Sequence, residues 1–133
     1  MKKMAAAVYS REGKFVVCSC SYTIEGVGIE SGPVFVAEPD SPATVLGELT
    51  VKALNASKTG VPHPTDWSAV PKVVPNAFGL KSHRALMEGK TRYCDVDQRD
   101  VIITLTPSKR SDDGEGFDFL PDSKLTLPAN TSP

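Results

Sequence analysis

At 133 residues, with a formal net charge of −1 and 23% charged residues, the chain has the size of one ordinary domain and carries neither a general basic field for nucleic acid nor an acidic tail. Its composition is 40% hydrophobic, as in globular proteins, yet no apolar stretch approaches the ~20 residues that a membrane-spanning helix needs. The short apolar run near the N-terminus meets Arg11 and Glu12 before a signal-peptide core could form, so the expectation is a single cytoplasmic domain over residues 1–133.

Residues 4–10 and 14–24 read as two strands around the Arg11-Glu12-Gly13 turn, the second rich in Phe, Val, Tyr, Thr and Ile. Gly26, Gly28 and Gly32 then predict a loop or bulge, with a short strand at 33–37. At Asp40-Ser41-Pro42 the period changes. Ser41 suits an N-cap and Pro42 a first helical position, and Val45, Leu46, Leu49, Ala53, Leu54 and Ala56 recur at helical spacing, which predicts a helix over about 42–57 closed by Gly60.

The connector that follows, "SKTGVPHPTDWSAVPKVV" at 57–74, contains Pro62, Pro64 and Pro71 and the only tryptophan, Trp67. Pro62 and Pro64 fix their own φ and push Val61 and His63 into extended geometry, so the segment reads as a rigid clip rather than a flexible linker. Trp67 is expected to be buried in the core, and its removal to cost about 3–5 kcal/mol. Thr65-Asp66 can cap a short turn carrying Trp67; Val73, Val74, Ala77 and Phe78 form a short or kinked helix ending at Gly79; Ser82 caps a third helix through Leu86 and Met87, stopped at Gly89. Strands at 91–96 and 101–106 flank a turn at 97–100, and short strands follow at 117–120 and 124–127. Strands, then helices, then strands predict an α+β domain, with a mostly antiparallel sheet, N-terminal and C-terminal hairpins, and about three helices packed on one side.

Chemistry-bearing residues are few. Cys18, Cys20 and Cys94 read as reduced thiols, because three cysteines cannot all pair and C-x-C with His63 or His83 matches no common zinc spacing. His63, framed by prolines, reads as a ring packing on or capping a neighbouring turn, and His83 as a solvated surface residue. Asp95, Asp97 and Asp100 fit turn chemistry better than a calcium loop. Residues 93–122 carry eight acids against Arg99, Lys109 and Arg110, a pattern of solvated hairpin tips or of an acidic surface that docks a basic partner.

"SKTGVPHPTDW" at 57–67, together with Leu46-Gly47, Ala53-Leu54, Phe78-Gly79, Lys81-Ser82, Ile103-Thr104-Leu105-Thr106-Pro107, Gly116-Phe117 and Leu125-Thr126-Leu127-Pro128, resembles the immunity proteins of bacterial contact-dependent growth inhibition (CDI) systems, the CdiI family. That resemblance implies a small cytoplasmic protein that binds and neutralises the C-terminal toxin domain, commonly a nuclease, of its cognate CdiA effector as a heterodimer. It implies no catalysis, no cofactor or metal, no membrane and no direct contact with nucleic acid. Family members commonly continue past the last Leu-Pro strand into another helix, and Asn130-Thr131-Ser132-Pro133 resembles the N-cap and first residue of one. The shared motif of Gly60, Pro62, His63, Pro64 and Trp67 is then fold-making, and Asp97, Asp100, Asp112, Asp113 and Glu115 are the expected toxin-facing acids. The alternative is a small metal- or thiol-dependent enzyme using His63, His83 and the cysteines.

Overall fold

The computed structural model describes residues 3–88, 90–111 and 117–128. Seven strands form one antiparallel sheet: β1 (Lys3–Arg11), β2 (Lys14–Tyr22), β3 (Gly28–Ala37), β4 (Arg92–Arg99), β5 (Ile102–Arg110), β6 (Phe117–Phe119) and β7 (Leu125–Pro128). Their order is β3-β2-β1-β4-β5-β6, and β7 shares the outer edge of β5 with β6. Three helices, α1 (Ala43–Ala56), α2 (Val73–Ala77) and α3 (His83–Met87), lie in the crossover between β3 and β4. The α+β class follows directly from this order.

The helices divide between the two faces of the sheet instead of sharing the expected single side. Successive residues of a strand point to opposite faces. On β1, Met4 and Ala6 meet Val17, Val96 and the α1 residues Ala53 and Leu54. Ala7 and Tyr9 instead meet Val16, Cys18, Val74 of α2 and Leu86 of α3. The central strand is therefore apolar at consecutive positions because both its faces are covered. The small side chains of Ala5, Ala6 and Ala7 let both layers approach it closely.

Element ends differ from expectation in four places. First, β3 pairs with β2 from Gly28 onward in place of the expected loop and short strand over 33–37, and the irregularity is reduced to a register shift between Cys18 and Cys20. Pro42, in extended geometry, occupies the α1 N-cap, so the helix begins one residue later and Ser41 lies outside it. At the other end the helix closes on Ser57, whose amide donates to Leu54 O (3.1 Å), whose Oγ donates to Cys20 O and which accepts from Ala5 N (3.1 Å). That hydroxyl ties the helix to β1 and β2, and Gly60, with φ +70°, turns the chain only afterwards. The strands of the β4–β5 hairpin are longer than predicted, pairing out to Arg99↔Ile102, with Asp100 at φ +55° in the tight tip. Asp97 consequently belongs to the strand, with Asp95, and not to the turn. By contrast, Asp66 and Ser82 cap their turns as expected, Asp66 Oδ1 accepting from Ser68 N (3.0 Å) and Ser82 Oγ from Ala85 N (3.1 Å). The expected helix stop at Gly89 and the residues after Pro128 lie outside the described residues.

Candidate functional site

The Pro-His-Pro connector is held by its histidine. Val61 N donates to Tyr22 O (3.1 Å) and Ile24 N to Val61 O (2.9 Å), which extends the sheet past the end of β2 by one parallel bridge. His63 then reaches the 23–27 turn, with Nδ1 2.9 Å from Thr23 Oγ1 and Nε2 3.0 Å from Glu25 Oε2. Thr23 Oγ1 already accepts the amides of Glu25 (3.3 Å) and Val27 (3.2 Å), so its own proton goes to His63. Thr-His-Glu resembles a nucleophilic triad in outline, but this hydroxyl is buried and saturated by backbone donors. The arrangement shapes a turn.

Trp67 is not the core plug expected of it. It leads a single 3-10 turn, Trp67–Ala69, is 52% exposed, and meets His63 edge-on at 5.4 Å between ring centroids. Asp66 and Ser68 fix its backbone through their own hydrogen bonds, so the indole is positioned without being enclosed.

Trp67 stands at the rim of a cleft of about 570 Å³ on the α2/α3 face of the sheet. Its floor comes from four strands: Tyr9 of β1, Cys20 and Tyr22 of β2, Glu30 of β3, Tyr93 and Asp95 of β4. Lys72 and His83 contribute to the opposite wall. Antiparallel pairing sets Tyr9 against Tyr93, and the rings stack at 4.7 Å with a 16° interplanar angle. Each phenol hydroxyl meets a carboxylate, Tyr9 donating to Glu30 Oε2 at 2.6 Å and Tyr93 to Asp95 Oδ1 at 3.3 Å.

Burial dominates the electrostatics of this floor. It pushes Tyr9 and Tyr93 well above the usual phenol range. It also raises Glu30, against the opposing hydrogen bond from Tyr9 and the nearby His83, and raises Asp95 with a further contribution from Asp97. A carboxyl whose folded value is raised costs the folded state stability as pH climbs through that value. A nearby cation would offset the desolvation that raises these two carboxyls. Hydrogen bonding with Cys18, then burial, pushes the Cys20 thiol up, and burial does the same for Cys94. So shifted, Cys20 and Cys94 are poor nucleophiles and poor metal ligands. Cys94 also sits with Val8 on the α1 face, away from Cys20, and among the described residues no His, Cys, Asp and Glu cluster is placed to hold a metal ion.

Of the expected toxin-facing acids, Asp97 lies on the cleft face beyond Asp95 and pairs with Arg99 at 3.6 Å. Asp100 is at the hairpin tip, its carbonyl accepting from Gln98 Nε2 at 3.0 Å. Asp112, Asp113 and Glu115 lie outside the described residues. Sequence reasoning missed Tyr9, Glu30, Tyr93 and Asp95 as one group. A signal existed in Tyr93-Cys94-Asp95-Val96-Asp97, whose alternation sets one apolar face against one aromatic and acidic face.

The profile of the CDI immunity protein family, CdiI, matches residues 5–133. The chain belongs to the CDI immunity protein family. No curated protein matches it. Among solved structures, this CdiI-family chain is similar to NMB0488 from Neisseria meningitidis, described as a protein of unknown function, with a TM-score of 0.78 at 18% identity over 98% of this chain and 87% of that one. It is likewise similar to the CdiA-CT/CdiI toxin and immunity complex from Yersinia pseudotuberculosis, with a TM-score of 0.76 at 20% identity over 99% of this chain and 90% of that one. At such identities the likeness establishes the fold, while the cleft residues of this family member rest on its own geometry.

Proposed function

We propose that this chain is the immunity partner of a CDI effector. It binds the C-terminal toxin domain of its cognate CdiA as a one-to-one heterodimer in the cytoplasm and inactivates that domain by occupying it, without catalysis of its own. The observation that carries the reading is the family match over residues 5–133; the likeness to a toxin and immunity complex supports it. The toxin is read as a nuclease on charge grounds. A nuclease presents a cationic surface to phosphates, and carboxylates on the α2/α3 face and the β4–β5 hairpin complement such a surface. In this reading Asp97 and Asp100, with Asp112, Asp113 and Glu115, steer association. Rim charges of that kind act on the on-rate more than on the lifetime of the complex.

The test is a titration of the toxin domain encoded immediately upstream. Its activity is expected to fall linearly and vanish at about one equivalent of this chain, as for a complex far tighter than the concentrations used. Full activity in the presence of excess folded chain would overturn the immunity reading.

A further inference from the structure

The α2/α3 face contains an unfinished charge arrangement. Glu30 and Asp95 flank the cleft, yet among the described residues no lysine, arginine or histidine lies within ion-pair distance of either. The neighbouring cations are turned to other work or stand at the margin. Arg99 pairs with Asp97, Lys3 Nζ sits 5.6 Å from the centre of the Tyr22 ring, and Arg11 donates to Glu88 O and Thr91 Oγ1. Lys72 and His83 line the cleft without a close ion pair to either carboxylate, His83 acting on Glu30 only at longer range. Desolvated carboxylates left without a counter-ion are costly, and proteins keep them where a ligand or partner completes the pair.

We propose that this cleft, lined by Glu30 and Asp95 with Trp67 at its rim, is a socket for one arginine side chain of the toxin domain. The proposal rests on the immunity reading and identifies where and how the partner is held. Three features favour this occupant. The cleft, at about 570 Å³, falls within the roughly 300–1,000 Å³ over which proteins enclose ligand groups. Its acceptors are carboxylates already oriented by phenol hydroxyls, so a planar guanidinium finds fixed partners for several of its five N–H donors. Its rim is an indole that is 52% exposed, and guanidinium stacks on aromatic faces and is shed of water more readily than ammonium.

Glu30→Gln, Asp95→Asn and the double variant keep shape while removing charge. Calorimetric titration with the upstream toxin domain is expected to show each single change weakening binding about tenfold or more, and the double change about 100-fold or more. Melting temperatures at neutral pH should stay close to wild type, since the amides keep the shape of the carboxyls and can still accept from the phenol hydroxyls. Replacing the toxin's surface arginines one at a time by glutamine should identify one whose loss weakens binding to wild type but leaves binding to the double variant unchanged. If wild type itself fails to bind, the immunity reading falls and the socket with it. If wild type binds, and the double variant binds within about twofold of it, or no toxin arginine shows this coupling, the socket is wrong while the immunity reading stands.

Discussion

Trp67→Ala is expected to weaken toxin binding by about 30-fold or more, the scale of an interfacial hot spot, while lowering stability by only about 1 kcal/mol. The asymmetry follows from placement. A tryptophan sealed in a core would cost about 3–5 kcal/mol to truncate, but this indole is half exposed and touches His63 only edge-on. The clip itself survives its loss, because His63 holds the connector through Thr23 and Glu25 and the backbone through Tyr22. Paired urea melts and calorimetric titrations measure both quantities. A large loss of stability with unchanged affinity would return Trp67 to a structural role.

The second large effect separates the two faces of the sheet. Leu54 on α1 and Leu86 on α3 are both fully buried, at 1% and 0% exposure, in different core clusters. Truncating either to alanine is expected to cost about 2–5 kcal/mol. Only Leu86→Ala should also weaken toxin binding, measured where both variants remain folded. The reason is that α3 has five residues and carries both Leu86 and the cleft residue His83. With its one fully buried apolar anchor gone, that short helix loses its registry over the cleft, whereas α1 covers the opposite face. Equal binding losses for the two variants would show that the face distinction has no functional meaning.

The elements were largely legible because their signals are local. The Arg11-Glu12-Gly13 turn, the helical repeat after Pro42 and the caps at Asp66 and Ser82 each depend on residues within a few positions of one another. What sequence could not supply was the identity of tertiary neighbours. Ala5-Ala6-Ala7 reads as a featureless apolar run until helices are found on both faces of β1. Trp67 reads as core because large apolar side chains usually are, and only the position of the 3-10 turn at the cleft rim exposes it. Asp97 reads as a turn residue because the tip of a hairpin is set by strand pairing, here out to Arg99↔Ile102. The cleft itself joins Tyr9, Cys20, Glu30 and Tyr93 from four strands, a grouping that exists only once the sheet order is known.

Hydrogen exchange of the chain, alone and saturated with its toxin domain, tests most directly whether the α2/α3 face is the docking surface. Exposed, weakly bonded backbone exchanges fast and slows when a partner covers it. The expected result is slowed exchange across the Trp67–Ala69 turn and on to Lys72, and at the start of β3 around Glu30, with α1 unchanged. Protection confined to α1 and the opposite face of the sheet, with the Trp67 turn exchanging as it does in the free chain, would contradict it.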